Sequence, residues 1–168
     1  MTDVQIWQGS YDAFCGLYSA SYVIAHHQTG DKQRGAGRAF YKLLQSAEKL
    51  SLLTADRIAI EGSRPGFTDR QVARIINGVP SRMRANLTAV PFRSAEFREF
   101  EKRGRKQLIQ EGASAIIQQD GNAHWIAITA VAKNGSYCVF DPWQKRPTAS
   151  RDRIVGEQGV LIIPADIG

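Results

Sequence analysis

Residues 124–141 read HWIAITAVAKNGSYCVFD. Two runs of β-branched, aromatic and small apolar residues stand on either side of Asn134-Gly135. That dipeptide favours a two-residue type I′ turn, because both central positions of such a turn need positive φ. The stretch therefore predicts an antiparallel hairpin. With a two-residue loop, His124 and Asp141 fall on the same face of the pair, close enough for a carboxylate to reach an imidazole. A slip of one residue would send the two side chains to opposite faces, so the register here decides the site as well as the fold.

The pattern extends outward from the hairpin. "SAIIQQ" (114–119) before it and "GVLIIP" (159–164) after it read as further strands, so the C-terminal part from Ala113 is predicted to be an antiparallel sheet. Upstream the apolar spacing changes to three and four residues. Helices are predicted from Cys15 to about His27, over 38–53 after a glycine-containing loop "DKQRGAG" (31–37), and over 70–78 with Thr68 or Asp69 as cap. "ANLTAVPF" (85–92) reads as a short strand. A basic amphipathic helix should open at Ser94 and end at Gly112, weakened in its middle by Gly104. No internal repeat or linker interrupts the 168 residues, and the expectation is one α+β domain spanning 1–168, helices first and strands second.

Composition narrows the function classes. The chain is 43% hydrophobic and 23% charged, with a formal net charge of +6. Eleven Arg or Lys against four acidic residues between Arg64 and Lys106 give that stretch +7, leaving −1 elsewhere. Such a surface suits an acidic partner, but aromatics are not interleaved with the basic residues as in a nucleic-acid-reading module, and the simplest reading is a solvated helical face with pairs such as Glu99 and Arg103. Two cysteines, Cys15 and Cys138, form neither a disulfide framework nor a CxxC pair, so no metal or other cofactor is expected. No apolar run is long enough to span a membrane, and "MTDVQIWQGS" lacks the features of a secretory signal. The expected location is cytoplasmic, or outside the cell by a signal-independent route.

Four residues combine into a chemistry. A cysteine nucleophile needs a lowered thiol pKa, an imidazole to pair with it, and a third group that orients the imidazole. Cys15 at the predicted start of a helix meets the positive end of the macrodipole, His124 supplies the imidazole, and Asp141 the carboxylate. The Gln8 side-chain amide and the Cys15 backbone N–H could serve the oxyanion of an attacked carbonyl. Taken singly, each has a structural reading: packing for Cys15, a core imidazole for His124, a turn before Pro142 for Asp141, a loop polar group for Gln8. Their order and element types together favour catalysis. Trp125 and Trp143 flank His124 and Asp141 and could shield that pair from water, or simply pack in the sheet. His26 and His27 are read as cations suited to the end of the first helix.

The order Gln8, then Cys15-Gly16 opening a helix, then His124 beginning a strand, then Asp141 on the next, resembles the papain-like cysteine peptidase clan. The Asp in place of Asn, and the ending "DPW", are more similar to bacterial leader-peptidase domains that process double-glycine bacteriocin precursors. The resemblance is confined to residues 8–20 and 122–144, and "AFCGLYS" replaces the lysosomal "CGSCW" signature. It implies a papain-like fold, with Gln8 in the oxyanion hole, Cys15 as nucleophile, His124 as base, Asp141 as orienting residue, and Gly16, Trp125 and Trp143 beside a protein or peptide substrate. Transglutaminases, arylamine acetyltransferases and cell-wall amidases use the same residue types, so acyl transfer is the broader expectation. A catalytically silent domain that binds through its basic segment is the alternative from another class.

Overall fold

A computed structural model describes residues 14–53, 66–93, 112–119, 124–142, 148–149 and 158–165. Within these, three α-helices precede a six-stranded antiparallel sheet: α1 (Cys15–His27), α2 (Lys32–Lys49) and α3 (Asp69–Gly78), then a 3-10 turn (Ser81–Arg84), β1 (Leu87–Arg93), β2 (Ser114–Gln119), β3 (His124–Val131), β4 (Tyr137–Phe140), β5 (Thr148–Ala149) and β6 (Gln158–Pro164). The arrangement is α+β. Among the described residues no helix is long and apolar enough to cross a membrane. The basic helix expected over 94–112 lies outside the described residues, apart from Gly112.

Local chemistry explains each helix boundary. α2 begins at Lys32, so the segment read as a loop is helical. Asp31 caps it by accepting from the Arg34 amide at 3.2 Å. Gly35 serves packing instead of turning: a methyl there would lie 2.9 Å from Gln28 Oε1 and 3.6 Å from Ala25 Cβ, so the missing side chain lets α2 approach α1. α2 also stops earlier than its apolar spacing predicts. Ser51 adopts φ +54°, and the Ser51 and Leu52 amides close back on Glu48 and Ala47 at 2.8 and 2.9 Å. This is a Schellman closure with serine in the position usually held by glycine. At α3, Thr68 and Gln71 form a reciprocal capping box.

The sheet order is β1-β6-β2-β3-β4-β5, every pairing antiparallel. β1 leaves the helical half of the chain and joins the sheet through β6, a placement the sequence did not dictate. It is an edge strand, which accommodates Pro91 and its missing donor. Asn77 at the end of α3 covers the same edge, donating to the Ala89 carbonyl at 2.8 Å and accepting from the Ala89 amide at 2.9 Å. One sheet face, carrying Leu87, Ala89, Ile116, Trp125, Ala127, Val160 and Ile162, packs with Leu17, Val23, Ile24, Leu43 and Ile76 of the helices. The other face carries a second cluster that includes Phe92, Ile117, Ile126, Ile128 and Val139.

The hairpin departs from the expected turn. Only Gly135 takes a positive φ, +83°. Asn134 does not, and its carboxamide oxygen instead accepts from the Ser136 amide at 3.1 Å and the Ser136 hydroxyl at 2.6 Å. Ala132 accepts from the Gly135 amide and donates to Ser136, so the loop holds three residues, Lys133 to Gly135, in the turn-plus-bulge form that three-residue hairpins favour. By itself the extra residue would reverse the parity that places His124 with Asp141. A second irregularity restores it: the register moves from Ala130↔Cys138 to Ile128↔Val139, leaving Thr129 as a bulge. Continued past Ala127↔Phe140, the register sets Asp141 opposite Ile126, on the same face as His124.

Candidate functional site

The site begins at the first turn of α1. The Leu17 and Tyr18 amides both return to the Phe14 carbonyl, at 2.8 and 2.9 Å, which starts the helix without a side-chain cap. No acidic residue occupies this first turn, and Cys15 is the first residue at the positive end of the helix. Aromatic packing fixes that end: Phe14 stacks on Phe67 with centroids 6.1 Å apart, and Tyr18 stacks on Phe40 at 4.5 Å. Cys15 is buried within the helix-side cluster.

His124 opens β3 and Asp141 follows β4. Their side chains meet with His124 Nε2 2.7 Å from Asp141 Oδ1, at 4% and 13% exposure. A carboxylate accepts only, so Nε2 carries the proton and donates it. In the neutral ring Nδ1 then holds the lone pair, and Nδ1 is buried. An imidazole in this tautomer has one nitrogen committed to the orienting group and the other able to take a proton, the division of labour that a base–nucleophile pair requires.

Two contacts bring the helix of Cys15 to the strand of His124. A methyl placed at Gly16 would lie 3.5 Å from the Trp125 indole carbons Cγ and Cδ1 and 3.2 Å from Val72 Cγ2. The residue after Cys15 is thus seated on the residue after His124, with α3 closing the third side. One turn further on, the Ser19 hydroxyl donates to the Trp125 carbonyl at 3.1 Å. Trp125 is 1% exposed within the helix-side cluster, and its indole N–H has no hydrogen-bond partner among the described residues.

The structure therefore joins His124 to Asp141 directly and seats Gly16 on Trp125. Gln8 and Trp143, the other two residues picked out in the sequence, lie outside the described residues. Cys138 is a half-buried residue of β4, opposite Ala130 on one side and Thr148 on the other. Among the described residues no group of three or more His, Cys, Asp or Glu is arranged to hold a metal.

The far end of α1 corrects one electrostatic expectation. His27 Nε2 lies 2.9 Å from the Ser114 hydroxyl, and burial, followed by the neighbouring His26 and Lys32, lowers its pKa to about 4. At neutral pH it is an uncharged link from α1 to β2, not a cation on the helix dipole. Ser19 escaped the sequence reading altogether; its only signal there was a small polar residue on the apolar face of α1, four positions after Cys15.

No family model matches this sequence, and no curated protein matches it.

Proposed function

We propose that the chain is a papain-like cysteine peptidase, cleaving a peptide or isopeptide bond through Cys15, His124 and Asp141. The observation that carries this reading is the 2.7 Å bond from His124 Nε2 to Asp141, made at the base of the strand on which the first turn of α1 is seated. Cys15 gives its thiol proton to His124 Nδ1, and the thiolate attacks the substrate carbonyl. The C–N bond breaks as the imidazolium returns the proton to the leaving amine, which leaves a thioester on Cys15. Water then attacks the thioester, His124 takes one of its protons, and the carboxylic acid departs as the thiol re-forms. Asp141 holds the imidazole in the tautomer that both steps use. Gln8 and the Cys15 amide are proposed as oxyanion donors, and Gly16 and Trp125 shape the floor next to the nucleophile. The helix-on-sheet arrangement, with Cys15 at a helix start and the imidazole and carboxylate on neighbouring strands, supports the papain-like comparison.

A peptide carrying an acyloxymethyl ketone tests this reading. Selective labelling of Cys15, lost in His124→Ala, is the expected result. Labelling that ignores His124, together with salt-sensitive polyanion binding that survives Cys15→Ala, would favour a silent binding domain instead. Product analysis with added amines separates hydrolysis from transfer, since a transferase returns an amide where a peptidase returns an acid.

A further inference from the structure

α1 holds three buried serine or cysteine side chains in seven residues: Cys15, Ser19 and Ser21. A serine inside a helix ordinarily satisfies its hydroxyl on the carbonyl three or four residues back. Ser21 does so, donating to the Tyr18 carbonyl at 2.8 Å. Ser19, fully buried, instead crosses from the helix layer to the sheet and donates to the Trp125 carbonyl, 106 positions away in sequence.

The two ends of that bond have informative addresses. Ser19 lies four residues past Cys15, one turn along the same helix face and about 6 Å along the axis. Its acceptor belongs to the residue immediately after His124, one Cα step of about 3.8 Å from the base. Between them sits the Gly16–Trp125 contact, where a methyl would lie 3.5 Å from the indole, ordinary contact distance, and 3.2 Å from Val72. Packing sets how closely α1 approaches β3, but apolar contact has no direction, and the bond from His27 to Ser114 ties only the far end of the helix, so packing alone leaves the Cys15 end able to roll along the strand. A hydrogen bond is directional and fixes that remaining freedom.

We propose that Ser19 is a positioning residue, whose bond to the Trp125 carbonyl sets the register of the Cys15 helix against the His124 strand and thereby the thiol–imidazole geometry. This rests on the reading of Cys15 and His124 as nucleophile and base. Ser19 touches neither substrate nor reacting atoms; it acts through the two backbones it ties together. A shift of about 1 Å at a reacting pair lowers rates by about a hundredfold, so one latch at this point has leverage that the same bond elsewhere lacks.

The molecule supplies its own control. Ser46 of α2 makes a bond of the same kind, buried, from hydroxyl to the Ile75 carbonyl of α3 at 2.7 Å, and neither partner belongs to the site. Losing either hydroxyl removes one buried serine-to-carbonyl bond, so Ser19→Ala and Ser46→Ala should lower Tm comparably.

The test uses the full chain in a Cys138→Ser background, measuring the pH dependence of iodoacetamide alkylation at Cys15 and the inactivation kinetics of the peptide ketone. The wild type is expected to alkylate well below the pH of an ordinary thiol, near 8.5. Ser19→Ala should raise the alkylation midpoint by about one pH unit and lower the maximal inactivation rate by about ten- to a hundredfold, with the probe's dissociation constant unchanged. Ser46→Ala should change neither. If Ser19→Ala does not fold, Ser19→Cys replaces the hydroxyl with a weaker donor of nearly the same shape. Read at Cys15 by site-resolved mass spectrometry, it should show a smaller shift in the same direction. An acid-shifted wild type with an unshifted Ser19 variant overturns the positioning role alone, as does an equal response in Ser19→Ala and Ser46→Ala. A wild-type Cys15 with an ordinary thiol profile overturns the nucleophile reading, and the positioning role with it.

Discussion

Removing the Asp141 carboxylate isolates the contact on which the site depends. In Asp141→Ala, His124 loses a hydrogen bond of 2.7 Å between side chains that are 4% and 13% exposed. Hydrogen bonds to a charged group contribute about 1.5–3 kcal/mol net, and the strongest are short and shielded from water, as here. The bond acts most when the imidazole is protonated, the state that follows attack by the thiolate. If its whole value appears in the transition state, the rate falls by about 10- to 150-fold at 1.36 kcal/mol per decade. The loss should stop there, because β3 stays paired with β2, His124 opposite Gln119, and its backbone still holds the ring near its place. The assay is the second-order rate of Cys15 modification by the peptide ketone, with ¹⁵N shifts of His124 reporting the tautomer. The wild type should show the proton on Nε2, and the variant a mixture of tautomers. A decrease smaller than about threefold, or a single unchanged tautomer, would refute the orienting role; a loss as deep as that of His124→Ala would mean that Asp141 does more than orient.

Gln8→Ala is expected to lower turnover by about 10²- to 10³-fold with KM nearly unchanged, while iodoacetamide alkylation of Cys15 stays intact, because alkylation forms no oxyanion; parallel losses in both reactions count against the oxyanion role. His27 gives a pH prediction with a definite sign. Its folded pKa, about 4, lies below the unfolded value of 6.5, so the unfolded chain takes up the proton first. The stability it contributes is complete above pH 6.5 and is lost as the pH falls towards 4. Urea midpoints between pH 7.5 and 4.5 should decline less steeply in His27→Gln than in the wild type, and identical slopes would exclude His27 as a source. Asn77→Ala removes both hydrogen bonds on the outer edge of β1 and should lower stability by about 1–2 kcal/mol, or Tm by about 2–8 °C, with faster hydrogen exchange at the Ala89 amide. Unchanged exchange there would show that the edge does not rely on the side chain.

What the sequence by itself determined is local. Periodicity and caps placed α1 at Cys15–His27 and α3 up to Gly78, and β-type runs with their turn signals placed β2, β3, β4 and β6, because these features depend on neighbours within a few residues. The same short-range logic failed where distant contacts prevail. The glycines at 35 and 37 read as a loop until α1 stands beside α2 and the Gly35 gap becomes a packing surface. Asn134-Gly135 reads as a two-residue turn until Ser136 engages the Asn134 side chain and Thr129 bulges out of the ladder. His124 and Asp141 were legible as a pair by parity, yet the actual hairpin keeps that parity through two irregularities that offset one another. Only the tertiary structure decided that β1 pairs with β6, that Gly16 is seated on Trp125, and that Ser19 bonds across 106 residues to the strand of His124. Burial and directional bonding between elements are settled when the layers meet, and a serine on an apolar helix face carries no mark in the sequence of which carbonyl it will find.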